Sequence, residues 1–245
     1  MSPHERQDAF DVALSVLAAS FPKQVLGGHM HELWPDCEAF LAHVLAFDKA
    51  VQQRQPSFLR QDAEMYVNMM CDVTWYLWEI GQYEAALKLL SSTEAICCQV
   101  VGQNSLEAAR IFVNRGSVLS TLNRYQDAGR LFEKALHIRR EQLPDNHQLL
   151  ANSYMQMGNY YLNSWPGKTG IDNAIEAHMR VVEIRLRSST TEPTVMINSY
   201  LNYARSLMMG AVLGEAESCL KKAEEVEDQF RDSCHSTVYL YYRHQ

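Results

Sequence analysis

Four alanines, Ala86, Ala128, Ala174 and Ala216, recur at intervals of 42, 46 and 42 residues. Each sits early in a stretch that runs from turn residues into an amphipathic pattern. The stretches are Gly81-Gln82-Tyr83-Glu84-Ala85-Ala86-Leu87, Asn123-Arg124-Tyr125-Gln126-Asp127-Ala128, Gly170-Ile171-Asp172-Asn173-Ala174-Ile175 and Leu213-Gly214-Glu215-Ala216. A near-fixed period of this length in a helix-forming sequence specifies a solenoid of helix pairs. The small alanine lets the second helix of a pair (helix B) approach the first (helix A). Four residues on stand Leu90, Phe132, His178 and Leu220; three further on stand Thr93, Ala135, Val181 and Ala223. An i, i+4, i+7 stripe is one face of a helix. The facing stripes of helix A are Phe112, Arg115, Gly116 and Leu119 in the second repeat, and Tyr154, Met157, Gly158 and Tyr161 in the third, with each glycine at the point of contact.

This periodicity predicts an all-α fold, a right-handed superhelix of antiparallel helix pairs. Helices are expected at about 5–20, 36–54, 61–80, 83–100, 105–122, 125–142, 147–163, 171–187, 193–209, 213–230 and 236–243. Residues 21–33, with Gly27-Gly28, read as a loop, and 164–170 carry a four-residue insertion in the third repeat. The domain reading is a helical lead-in over 1–61 and a solenoid over 62–245, of about four repeats plus a terminal helix.

The stretch Ala128-Gly129-Arg130-Leu131-Phe132-Glu133-Lys134-Ala135-Leu136-His137-Ile138-Arg139-Arg140, followed by Leu143-Pro144-Asp145-Asn146-His147, resembles the tetratricopeptide repeat (TPR) in its 42-residue, kinesin-light-chain-like form. The resemblance covers roughly 62–230 and is strongest in the second repeat. Upstream, Trp34-Pro35-Asp36-Cys37-Glu38-Ala39-Phe40-Leu41-Ala42-His43-Val44 is similar to the segment leading into such repeats in NB-ARC-TPR proteins, the NLR-like signalling ATPases of fungi and bacteria; the family's proline before the histidine is Ala42 here. That resemblance implies the repeat half of such a protein.

Composition excludes several functions. A net charge of −7 disfavours nucleic acid, which asks for a basic face, and also an anionic membrane surface. No run of about 18 apolar residues spans a bilayer. His4, Glu5, Arg6, Asp8 and Asp11 break any export-signal pattern. Without one, the scattered cysteines read as reduced thiols of a cytoplasmic protein.

Chemistry-bearing motifs are sparse. Gly167-Lys168-Thr169 copies the tail of a phosphate-binding loop, but Leu162 stands where the first glycine belongs. His29 and His31 with Cys37 have no fourth ligand. Cys97-Cys98 and Cys234-His235 are weaker still. No catalytic constellation, metal site or cofactor motif stands out, so the expectation is a non-enzymatic protein with no cofactor.

The informative positions are those of helix A that line a concave surface in such a superhelix. Place two of each repeat holds Asn68, Arg110, Asn152 and Asn198. Place six holds Asp72, Asn114, Gln156 and Asn202. Place nine holds Trp75, Ser117, Asn159 and Arg205. Place thirteen holds Glu79, Thr121, Asn163 and Met209. Carboxamides both donate and accept, so they satisfy the backbone of an extended peptide. Asn is a mediocre helix former, so repeating it along one face points to use. In kinesin-light-chain-like repeats an Asn at place six clamps peptide backbones; Asn114 and Asn202 match it, Gln156 nearly does and Asp72 departs. Arg110 and Arg205 suit an acidic ligand, Asp72 and Glu79 a basic one, and Trp75 and Trp78 flank side-chain pockets. The leading reading is a scaffold that binds a protein or peptide in this groove. The alternatives are a detached sensor or self-assembly fragment of an NLR-like protein, stacking through Tyr239 to Tyr242, and an accessory protein of a fungal biosynthetic pathway.

Overall fold

The computed structural model describes residues 2–26, 28–164, 167–188 and 191–229. Among them are ten α-helices and no strand: α1 (Pro3–Ser20), α2 (Trp34–Arg54), α3 (Arg60–Glu79), α4 (Tyr83–Ile96), α5 (Leu106–Thr121), α6 (Tyr125–Gln142), α7 (Gln148–Ser164), α8 (Lys168–Leu186), α9 (Pro193–Met209) and α10 (Leu213–Gln229). The expected helix over 236–243, with Tyr239 to Tyr242 and Cys234-His235, lies outside the described residues. Helix α8 starts at Lys168, ahead of the position its sequence pattern suggested. The stretch expected to continue α4 to residue 100 instead becomes a π-helical turn, Cys97–Val101.

The period appears as repeated geometry. Ala86, Ala128 and Ala174 are fully buried and Ala216 nearly so. The A-to-B turns at Gly81, Asn123 and Ala211 all take positive φ, 79°, 60° and 58°. The next residue's N–H then reaches back five residues, Gln82 to the Leu77 carbonyl (2.8 Å), Arg124 to Leu119 (2.8 Å) and Val212 to Leu207 (2.9 Å), satisfying carbonyls at the helix end.

Two compact units divide the chain, Met1–Ile138 and Arg139–Gln245. In the first, α1 packs against both α2 and α3. Phe10, Phe47, Phe58 and Tyr66 join them through ring contacts, with Phe10 stacked on Phe47 at 5.1 Å. Gly116 faces Phe132 so closely that a Cβ would lie 2.5 Å from the ring. In the second unit Gly158 meets His178, and a Cβ there would fall inside 3.0 Å. Each glycine therefore marks where helix A touches the bulky residue of helix B.

The second unit also carries a repeated buried arginine. Arg139 Nη1 donates to the Leu149 carbonyl (3.1 Å) and Ser153 Oγ (2.8 Å). Arg185 Nη1 donates to the Val195 carbonyl (3.1 Å) and Ser199 Oγ (2.6 Å). Each sits eleven residues after a key alanine and ties one helix B to the next helix A. Cys97 holds that register position in the first repeat, at the start of the π-helical turn.

Candidate functional site

The A-helix row of the first unit is divided equally between α3 and α5, and the chain itself covers its α3 half. Pro22 ends α1, because the residue before a proline is driven out of the helical region; Phe21 sits at φ −69°, ψ 131°. The segment from Phe21 to Trp34 then crosses α3. Phe21 and Met30 are buried apolar anchors, each worth roughly 2 kcal/mol of burial. Between them the chain turns back at Leu26, φ 48°, with the Gly28 N–H bonded to the Val25 carbonyl at 2.8 Å.

Two carboxylates grip this strap. Asp72 accepts from the Gln24 backbone N–H (2.9 Å) and from Arg110, with Lys23 Nζ at 3.7 Å. Glu79, two helical turns on, accepts from the Met30 N–H (3.0 Å), His29 Nδ1 (3.2 Å), Trp34 Nε1 (2.9 Å) and Trp75 Nε1 (3.0 Å). Burial pushes the Asp72 carboxyl up, against the pull of Arg110 and the Gln24 N–H. At Glu79 burial pushes upward as well, but the bonds from His29, Trp34 and Met30 outweigh it and the carboxyl titrates below its ordinary value. The Glu79 bond raises His29 in turn.

The rest of this row is also bonded within the fold. Arg110 donates to the Asn68 carbonyl (3.2 Å) and Oδ1 (3.0 Å). Asn114 is buried and spends its Nδ2 on the Cys71 carbonyl (2.7 Å) and Thr74 Oγ1 (3.1 Å), tying α5 to α3. Ser117 is buried and bonds the Val113 carbonyl; Thr121 is exposed, accepts from Trp78 Nε1 (2.8 Å) and donates to the Ser117 carbonyl. Trp75 is buried edge-on against half-buried Trp78, ring centroids 4.9 Å apart. Asp72, Glu79 and Arg110, the charges expected to select a ligand, thus have partners within the fold. The strap donors Lys23, Gln24, His29 and Met30 had no local signal, since they lie about 50 residues from the carboxylates they meet.

The row of the second unit stands differently. Asn152 is buried, Gln156, Asn159, Asn198 and Asn202 are half-buried, and Asn163 and Arg205 are exposed. Among the described residues Asn202 Nδ2 bonds only along its own helix, to the Asn198 carbonyl at 2.8 Å. Asn159 Oδ1 is buried and accepts no hydrogen bond among the described residues. Beneath the row, His178 Nδ1 lies 2.6 Å from Ser206 Oγ. Burial, with the nearby Arg205 and Arg185 charges, pushes this imidazole down to about 4, so it is neutral near pH 7.

The remaining motifs have structural settings. Gly167 is the N-cap of α8 and Lys168 its first residue, with the end of α7 at Ser164 just upstream. His29 bonds Glu79, His31 lies 4.0 Å from Glu32, and Cys37 is buried. Among the described residues no group of His, Cys, Asp and Glu is arranged to hold a metal, and no helix is long and apolar enough to cross a membrane.

Comparison with known proteins agrees with the fold. The tetratricopeptide repeat profile matches residues 109–149, the repeat with the strongest sequence pattern. No curated protein matches the chain. Among solved structures, BtubC (BKLC) from P. vanneervenii is similar with a TM-score of 0.63 at 13% identity, covering 97% of this chain and 95% of that one. A single-residue variant of a Podosopora anserina protein of kinesin light chain nearly identical TPR-like repeats gives 0.61 at 15%, covering 95% and 100%. MamA gives 0.52 at 17%, covering 77% and 89%. At these identities the likeness is one of fold: the chain carries a tetratricopeptide repeat within an all-α TPR solenoid fold, and kinesin-light-chain-like repeats are among its structural neighbours.

Proposed function

We propose that the chain is a non-enzymatic scaffold that binds a peptide or protein segment along its A-helix row, chiefly through α7 and α9. One observation carries this reading. Gln156, Asn159, Asn163, Asn198 and Asn202 form a row of carboxamides that reaches the surface. Such groups supply both donors and acceptors to an extended backbone, the recognition chemistry that strand-like ligands need. A TPR-type fold is generally a platform for protein interaction, which fits the row. Asn68, Asp72, Trp75, Glu79, Arg110, Asn114, Ser117 and Thr121 support the first unit's own structure in this reading.

The test selects peptides from a displayed random library on the intact chain and measures their affinity for the Gln156→Ala, Asn198→Ala, Asn202→Ala variant. Losing three backbone hydrogen bonds, each worth about 0.5–1.5 kcal/mol net, should weaken binding at least about tenfold. The melting temperature should hold, because these side chains are only half-buried. Selected peptides that bind the variant as tightly as the parent would sink the assignment.

A further inference from the structure

In the second unit, charge is partitioned by helix. The 17 residues of α7, QLLANSYMQMGNYYLNS, contain no Asp, Glu, Lys or Arg. The 17 residues of α9, PTVMINSYLNYARSLMM, contain Arg205 alone. Helix B of each pair is the opposite. Lys168, Asp172, Glu176, Arg180, Glu183 and Arg185 punctuate α8, and α10 is denser still in Glu and Lys. A helix face that reaches water ordinarily collects charge, as α8 and α10 do. Depletion of charge together with enrichment in Tyr and Met is the composition of the centre of a protein interface. Met208 and Met209 are exposed at the end of α9, and Met209 stands in the row itself, whereas Tyr154 and Tyr161 share the face on which Gly158 meets α8.

The first unit removes the competing signal. Asp72, Glu79 and Arg110 are the charges of the row that would draw a cationic or anionic ligand. Asp72 holds Gln24 and Arg110, and Glu79 holds the strap. In the second unit's row that leaves Arg205, exposed to solvent, where an ion pair is screened and weak. The carboxamides are better placed to act. Asn159 Oδ1 accepts nothing within the described fold, so no internal bond to that oxygen must break for the carboxamide to turn toward a ligand. Among the described residues Asn202 is tied only to its own helix.

We infer that the ligand of the α7–α9 row is an extended polypeptide segment of no net charge, held by its backbone and by apolar side chains set against Met209. This rests on the reading under Proposed function and narrows it to one chemical class. An acidic segment, a basic segment and a nucleic acid each meet too little complementary charge here.

The test uses the same selected peptides, synthesised with blocked ends and titrated against the intact chain by calorimetry. The expected consensus carries no Asp, Glu, Lys or Arg at the positions that contact the row. Affinity should change less than about twofold between low salt and roughly 0.5 M NaCl, because no charge pair is there to be screened. Arg205→Ala should weaken binding by no more than about threefold, the range of an exposed ion pair. A consensus of fixed acidic or basic residues, with affinity falling tenfold over that salt range, would overturn the inference while leaving the row assignment intact. Neutral peptides that bind the Gln156→Ala, Asn198→Ala, Asn202→Ala variant as tightly as the parent would overturn the row assignment and the inference with it. A library that yields no binder overturns both.

Discussion

The A-helix rows of the two units begin from the same register and end in different states. On α3 and α5 the row is charged and bonded within the fold: Asp72 and Glu79 hold the chain's own strap, and Asn114 bonds α3. On α7 and α9 it carries one charge, Arg205, which is exposed, and it is partly open: Gln156, Asn159 and Asn198 reach the surface. The same place in a repeat can therefore be sealed within the fold or left open to solvent, and the segment packed over it decides which. Burying a carboxylate is tolerable only with several donors around it. Once the chain supplies those donors, as it does at Glu79, the position belongs to the fold.

The sharpest way to break this comparison is to remove one buried charge and one open one. Asp72 is 1% exposed and anchors Arg110, the Gln24 N–H and Lys23. Asp72→Ala strands a half-buried guanidinium and should destabilise the first unit by about 3–5 kcal/mol, the range for breaking a buried pair from one side. Arg205→Ala, at an exposed position, should change stability by about 0.5 kcal/mol or less. Urea denaturation of both variants, with hydrogen exchange read helix by helix, checks this. An Asp72→Ala variant as stable as Arg205→Ala would mean that the first row is not sealed.

Much of this frame was legible in the sequence. The alanine period, the stripes Leu90, Phe132, His178 and Thr93, Ala135, Val181, and the glycines at Gly116 and Gly158 all pack as expected, because each is set by neighbours within one helix pair. The division of the row was not legible. Asp72 and Glu79 read as groove charges because their partners lie 48 to 50 positions away, beyond any local pattern. The loop over 21–33 was visible from Gly27-Gly28, but not what it crosses. The buried arginines carried a signal that passed unread: Arg139 with Ser153, and Arg185 with Ser199, repeat at the same spacing as the neighbouring alanines.

Acid provides a second contrast, aimed at the second unit. His178 is fully buried, neutral and depressed to about 4 from an ordinary 6.5. The unfolded chain takes up a proton near 6.5 that the folded chain refuses until about 4. The second unit therefore loses stability as pH falls through that interval, on the order of 2 kcal/mol by pH 5. His178→Asn, which keeps a polar group beside Ser206, should flatten this slope even though its baseline stability is lower. Hydrogen exchange of α7, α8 and α9 at pH 7 and pH 5 measures it; protection that holds at pH 5 would contradict the buried neutral imidazole.

The smallest effect lies in the first unit and runs the other way. His29 is exposed, and its bond to Glu79 raises its pKa above 6.5, so the stability it adds is fully present below 6.5 and is lost as pH rises through the raised value. Glu79 is lowered below 4.5, so its contribution is present above 4.5 and fades only as pH falls through the lowered value. Between those limits both partners are charged. There His29→Ala should loosen the strap by less than about 1 kcal/mol, because the histidine side is open to solvent and screened. Above the raised pKa of His29 the substitution should matter less still, because the Met30 N–H, Trp34 and Trp75 continue to hold Glu79. Exchange of the Met30 amide across pH, compared between parent and variant, reads the difference directly. A gap that widens with rising pH would reverse the assigned sign. Acid then tightens the strap of the sealed row while it weakens the core beneath the open one, which separates the two units by titration alone.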